Sequence, residues 1–242
     1  VIPTYNRLAY LQEAVGSVVN QTYNNIEIII CDNASTDKTY EFFMSNTNEK
    51  IIYIRHEKGL FPLDNWNSWI GKAKGEYVTF LPDDDKLAPT FIEKCVKAFL
   101  DDKETTLVKA GCYVMDGNSQ VTGEYIPFKD ERSSGYQFLL DRINPRYSEL
   151  SLGSGYAFRK DDFILVGGFM QTGFPKMHYV DDYLWYRLSL ERGNVSYLNE
   201  KLWYYRDHTA NMALVESLSD FRDNFREYIP MLLNMLKNKK ET

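Results

Sequence analysis

Apolar positions in the first hundred residues alternate between two spacings. In LAYLQEAVGSVV (8–19), Leu8, Leu11, Val15, Val18 and Val19 recur at helical intervals, which predicts an amphipathic helix. IEIIIC (26–31) is instead a continuous apolar, β-branched run of strand length, suited to a parallel strand buried on both faces. The same exchange repeats down the chain. A helix is expected from about Asp37 to Ser45, a strand at IIYIR (51–55), a helix over Asp64 to Ala73 and a strand at EYVTFL (76–81). Pro89 is expected to open a further helix from its first turn, with Phe91, Cys95 and Phe99 stacked at i, i+4. Strand and helix in alternation predict a mixed, mostly parallel sheet flanked by helices in a single α/β domain.

After residue 105 the pattern loosens. TLVKAGCYVMD (106–116) reads as a strand, and 117–150 is polar and aromatic with Gly and Pro breaks. SGYAFRK (154–160) is strand-like and is followed by a turn at Gly167-Gly168. DYLWYRLSLERG (182–193) reads as a helix stopped by Gly193, and VSYLNEKLWYYR (195–206) as a strand. A helix rich in Phe, Met and Leu is expected near 216–236. The domain of 1–242 thus divides into a regular half (1–105), a looser half (106–215) and a C-terminal helix (216–242).

Composition narrows the class. Hydrophobic residues make up 44% and charged residues 26% of 242 positions, as in ordinary globular proteins. A net charge of −6, with no basic run before KNKK near the C-terminus, argues against a nucleic-acid partner. Cys31, Cys95 and Cys112 form no CxxC pair and no zinc spacing, so they are expected as free, mostly buried thiols in a reducing compartment. No apolar run reaches the roughly 18–20 residues of a membrane span. GxGxxG after the first strand and GxxxxGK[ST] are both missing, which argues against a dehydrogenase or a P-loop kinase.

In parallel α/β sheets ligands bind beyond the carboxyl ends of the strands. Two such ends carry acid. IEIIIC runs into Asp32, and EYVTFL runs into Asp83, Asp84 and Asp85. Packed carboxylates repel unless a cation lies between them. A divalent ion such as Mg²⁺ or Mn²⁺ takes one or two carboxylates and completes its shell with phosphate and water. A turn with helix-capping acids is the alternative for one or two of the three. Asp32 can accept from a ribose or base, or cap the next helix. Pro3, Thr4, Tyr5 and Asn6 precede a helix, where they can cradle a nucleotide or form a plain turn. Asp181 and Asp182 stand ahead of another helix. One, with Asp182 the natural choice, is expected as its cap, and the surplus acid can serve as general base for a hydroxyl. Arg206 and His208 follow a strand and can meet a diphosphate or a metal, or lie in a solvated loop.

In order along the chain, VIPTYNR, CDNASTDKT, AKGEYVTFLPDDDKLAP, VGGF, VDDYLWYRLSLERG and YYRDH resemble the family 2 glycosyltransferases of GT-A fold. The resemblance runs from the first residue to about His208. It implies a Rossmann-like domain whose 1–105 half binds nucleotide and whose 106–215 half faces the acceptor. It implies sugar transfer from a nucleoside diphosphate sugar, with inversion, onto a glycan or lipid-linked glycan hydroxyl, as in bacterial polysaccharide or glycoconjugate synthesis. The cofactor implied is Mn²⁺ or Mg²⁺. By position, Thr4 and Tyr5 line the base pocket and Asp32 holds the base. Asp83 meets the ribose, Asp84 ligates the metal with Asp85 as substitute, and Asp181, or else Asp182, is the catalytic base. Arg206 and His208 face the diphosphate and its metal. The implied place is the cytoplasm, with peripheral association at the inner membrane face as a further option. Two positions depart from the family pattern: Pro82 stands where an Asp is common, and Val180 where a Glu precedes the catalytic Asp. GLFPLDNWN (59–67) also lacks the family's small-residue pattern. A catalytically silent nucleotide- or glycan-binding relative is the alternative reading.

Overall fold

The computed structural model describes residues 1–125, 132–143, 154–171 and 180–208, with isolated positions between 228 and 237. Three parallel strands, β1 (Ile2–Thr4), β2 (Ile28–Asp32) and β3 (Ile51–Arg55), lie in the order β1-β2-β3. Helix α1 (Leu8–Val19) connects the first two strands and α2 (Thr39–Ser45) the second two. Val1 joins this unit to β4 (Tyr77–Thr79): its amino group donates to Thr79 O at 2.9 Å and its carbonyl accepts from Leu81 N at 2.9 Å. That is the bonding pattern of a parallel pair.

The remaining strands are β5 (Lys86–Leu87), β6 (Thr105–Met115), β7 (Val121–Tyr125), β8 (Arg132–Ser134), β9 (Tyr156–Arg159) and β10 (Asn194–Arg206). Their order is β4-β9-β6-β10-β5, with β7 on β6 and β8 on β10. Here β6 and β10 run parallel and the other pairings are antiparallel. The all-parallel pairing thus belongs to β1–β3, while the second half is mainly antiparallel with one parallel pair. The loose pattern of the second half reflects its antiparallel strands and long β10, which changes register partway.

Alternation along each strand explains why the sheet is buried on both faces. Ile29 and Cys31 enter one core cluster and Ile28 and Ile30 the other. In the same way Phe158 and Ala157 separate, as do Leu107 and Val108. The first cluster packs against α7 (Val180–Arg192), α6 (Lys160–Leu165) and α3 (Pro62–Asn67), through Trp185, Phe163 and Leu63. The second packs against α1 and α4 (Phe91–Asp101), through Leu11, Phe91 and Phe99. All three cysteines are free and buried.

Several boundaries differ from expectation. Helix α3 covers Pro62–Asn67 only, and Pro62, not Pro89, takes the first-turn position. Pro89 precedes Thr90, the residue that flanks α4. Strand β5 has no signature in the sequence, because two residues carry no period. The irregular 117–150 stretch contains β7, β8 and α5 (Gly135–Ile143). Gly193 does not take the left-handed conformation of a helix stop. Its Cβ would stand 2.3 Å from Glu104 O, so it is close approach between the α7–β10 link and the α4–β6 link that requires glycine. The C-terminal helix and much of the expected acceptor side (126–131, 144–153 and 172–179) lie outside the described residues.

Candidate active site at the carboxyl ends of the strands

Strands β1, β2 and β4 end side by side, so Thr4, Asp32 and the Asp83–Asp85 turn share one sheet edge. Thr4 is buried and its Oγ1 donates to Asp83 Oδ2 at 2.7 Å, tying the first strand end to the acidic turn. Pro3 pairs with Cys31 inside the sheet. Tyr5 is 56% exposed beside them, an accessible aromatic face at the rim. Asn6 adopts φ 54° and links two loops. Its Oδ1 accepts from Thr36 N at 2.7 Å and its own N–H donates to Ser35 Oγ at 2.9 Å. Asp37 completes the link by accepting from Leu8 N at 3.1 Å, at the start of α1. Burial alone would raise the Asp37 carboxyl, but hydrogen bonds from Thr39 and Leu8 hold it below its ordinary value.

Asp32 is fully buried. Its Oδ1 accepts from Ser35 N at 2.8 Å, its Oδ2 accepts from the Tyr53 hydroxyl, and Arg55 Nη1 lies 3.7 Å away. The bond from Ser35 N is local, whereas the two partners from β3 come from the fold. Burial, then the neighbouring Asp32, push the Tyr53 hydroxyl well up, so it stays a donor. The Tyr40 ring lies 4.8 Å from the Arg55 guanidinium. Tyr53, Arg55 and Tyr40 were not singled out from the sequence. Their signal was the position of IIYIR beside IEIIIC, which brings the ends of β2 and β3 together.

The three acids of the turn have three environments. Asp83 is buried, and burial, then the adjacent Asp84, raise its carboxyl to about 6. Asp85 points into the core. Its Oδ2 accepts from Trp203 Nε1 at 2.8 Å and its Oδ1 from Arg206 N at 2.8 Å. Burial, then Asp84, raise it to about 7. Expected as a substitute metal ligand, Asp85 is instead the anchor of β10, with both oxygens engaged. Asp84 faces out. Its Oδ2 meets His208 Nε2 at 3.1 Å and Arg7 Nη1 at 2.7 Å. Arg7 Nη1 also reaches Asp83 Oδ1 at 3.4 Å.

Arg206 departs from its expected place at a diphosphate. Its side chain has no exposure. Nε donates to Asp84 O at 2.7 Å, Nη1 to Ser119 Oγ at 2.8 Å and Nη2 to Glu13 Oε2 at 3.0 Å. The guanidinium also covers the Tyr10 ring at 4.5 Å, and that ring in turn packs 5.2 Å from His208. Arg206 therefore fixes the backbone of Asp84 and the wall beside His208.

Asp181 and Asp182 lie in the first turn of α7. Leu188 O accepts from Thr106 at the start of β6, and Trp185 stacks on Tyr156, which pairs with Lys109 further along β6. Helix α7 thus runs against β6, and its acidic end lies toward the carboxyl edge of the sheet. Neither acid takes the expected capping position: both lie inside the first turn of α7, Asp181 Oδ1 accepting from Asp182 N at 2.9 Å and Asp182 buried at 8% exposure. Arg187, on the same helix, donates to Val166 O and Gly168 O and so holds the VGGF turn. Asn67 grips the other side of that turn, accepting from Phe169 N at 3.0 Å and donating to its carbonyl at 2.8 Å.

The sequence model of the family described as "Glycosyl transferase family 2" matches residues 1–164, which is over half of the chain. The chain belongs to this glycosyltransferase family. It is 26% identical to the "Glycosyltransferase GlyG" of Streptococcus pneumoniae serotype 4, over 92% of this chain and 75% of that protein. It is 28% identical to the "Chondroitin synthase" of Pasteurella multocida, over 96% of this chain but only 23% of that one. The chain therefore spans about a quarter of the synthase. Its fold matches S. aureus TarS 1–349 in complex with UDP-GlcNAc, with a TM-score of 0.72 and 19% identity, covering 98% of this chain and 65% of that one. The GT-A fold follows from that likeness.

Two potential ligands of a divalent ion meet at the turn. Asp84 Oδ2 and His208 Nε2 lie 3.1 Å apart, one hard oxygen of the kind that suits Mg²⁺ or Mn²⁺ beside one imidazole nitrogen that suits softer ions. Among the described residues no group of three or more His, Cys, Asp or Glu is placed to hold a metal ion by itself. Also among the described residues, no helix is long and apolar enough to cross a membrane.

Proposed function

We propose that the protein transfers a sugar from a uridine diphosphate sugar to a hydroxyl of a glycan or lipid-linked glycan, with inversion at the anomeric carbon, in bacterial polysaccharide or glycoconjugate synthesis. The observation that carries this reading is the convergence of Asp84 and His208 at the strand ends, next to Thr4 and the buried Asp83. TarS, which shares the fold, forms a complex with UDP-GlcNAc, and the acidic floor at Asp32 suits a base that donates an N–H, as uracil does.

Each residue has a place in the reaction. Tyr5 offers a stacking face to the base, while Asp32, held in place by Tyr53 and Arg55, lies beneath it. Asp83, held by Thr4, stands at the ribose. Asp84 and His208 would hold the divalent ion, whose chemistry is Lewis-acid neutralisation of the departing diphosphate. Arg206 keeps the Asp84 backbone in place without touching the donor. Asp181 takes the proton from the attacking hydroxyl as the new bond forms opposite the leaving group. One displacement inverts the centre, and no protein nucleophile is needed. Working at a membrane face, the enzyme would meet lipid-linked acceptors there.

The test compares the two acids of α7. Asp181→Asn should keep UDP binding and lose sugar transfer, or donor hydrolysis as its proxy, by roughly 10²–10⁴-fold, the usual worth of a positioned general base. Asp182→Asn should retain turnover and show its cost in stability, because Asp182 is buried. If Asp182→Asn is the dead variant, the base is one residue along. If both remain active, α7 does not supply the base.

A further inference from the structure

The acidic turn contains a cation of its own. Arg7 flanks the start of α1, and its Nη1 lies 2.7 Å from Asp84 Oδ2 and 3.4 Å from Asp83 Oδ1. The oxygen it engages at short range is the one that also meets His208 Nε2 at 3.1 Å. A divalent ion held by Asp84 Oδ2 and His208 Nε2 would need ligand contacts of about 2.0–2.2 Å, so it and the guanidinium compete for one place. Arg7 cannot yield by losing its charge, because a guanidinium stays protonated at any ordinary pH. It can yield only by moving. The side chain is 30% exposed, and Asp83 Oδ1 offers it a second anion beside the first.

We propose that Arg7 gates the metal site: it neutralises Asp84 in the empty enzyme and releases it only when an incoming diphosphate offers the guanidinium a stronger anionic partner. The divalent cation is then admitted together with the nucleotide and not ahead of it. The proposal rests on the reading of Asp84 and His208 as metal ligands given above. Its physical basis is a charge balance. Without nucleotide, the adjacent Asp83 and Asp84 carboxylates are already served by Arg7, and a doubly charged ion entering beside it meets repulsion. With nucleotide, the phosphate oxygens accept the planar guanidinium in the paired geometry it favours, and Asp84 becomes available. Metal and nucleotide thereby become coupled through one side chain, and the coupling must act equally in both directions.

The experiment is Mn²⁺ binding to the full protein, read by the loss of the free Mn²⁺ paramagnetic resonance signal, without nucleotide and then with saturating UDP. The variants are Arg7→Gln and Arg7→Met, which remove the charge, and Arg7→Lys, which keeps it. The neutral variants should bind Mn²⁺ alone about tenfold more tightly than wild type, within the usual span of a coupling between sites. They should also show a correspondingly smaller enhancement by UDP. Arg7→Lys should remain close to wild type. If neither neutral variant binds Mn²⁺ more tightly, while wild-type UDP binding still requires Mn²⁺, the gate is refuted and the functional reading stands. If wild type binds UDP equally well with and without Mn²⁺, the functional reading fails and the gate with it.

Discussion

Three consecutive aspartates separate by what each side chain touches. Asp83 is tied to Thr4, Asp84 to Arg7 and His208, and Asp85 to Trp203 and the backbone of Arg206. The run of acids and its place after a strand were legible in the sequence. The division of labour was not, because it depends on β10 arriving beside the turn more than a hundred residues later. Asp85→Asn should therefore leave the Mn²⁺ dependence of UDP binding unchanged and cost about 1–3 kcal/mol of stability, the range for a buried hydrogen-bond partner made unsuitable. Urea unfolding and calorimetry separate the two effects, and a lost metal response would return Asp85 to the ligand set. Asp32 gives a second residue-scale outcome. Read from sequence it could serve a ribose or base or cap the next helix, and its bonds to Ser35 N and Tyr53 mean that Asp32→Ala must act on the fold too. UDP binding should weaken by about 1.5–3 kcal/mol and stability should fall by a similar amount. Tyr53→Phe should reproduce part of the second loss, which a pure base contact at Asp32 would not.

At the scale of elements, position comes from short links and tight approaches. Gly193 is the single residue between α7 and β10, so the helix must double back along the sheet and carry Asp181 to the site edge. The VGGF turn is held between Arg187 of α7 and Asn67 of α3. Gly168 within it has φ +66°, and a Cβ there would lie 2.8 Å from Asn67 Oδ1 and 2.9 Å from the Phe163 ring. Gly168→Ala should cost about 2–4 kcal/mol, combining left-handed strain with overpacking, as read by urea unfolding. A cost under about 1 kcal/mol would show that the turn is not clamped. The turn was visible in the sequence as two adjacent glycines. Its two clamps were not, since Asn67 and Arg187 lie on helices whose periodicity describes only their apolar faces.

At the scale of the molecule, a parallel unit built by β1, β2 and β3 carries Thr4 and Asp32 at its strand ends, and a longer, mainly antiparallel unit supplies β10, with Arg206 at its end and His208 just beyond. The first was readable because buried parallel strands alternate with amphipathic helices. The second was not, because its strands are of uneven length and pair across long intervals. Function, in the reading proposed, depends on the meeting of the two units at Asp84 and His208. That meeting is probed by calorimetric titration of UDP into wild-type protein and Asp84→Asn, each with Mn²⁺ and with a chelator. Mn²⁺ should strengthen UDP binding to wild type by about tenfold or more, and Asp84→Asn should remove this gain, since Asp84 alone cannot hold a diphosphate of like charge. Equal UDP affinity with Mn²⁺ and with chelator, or a Mn²⁺ response that survives in Asp84→Asn, would contradict a metal site at this junction.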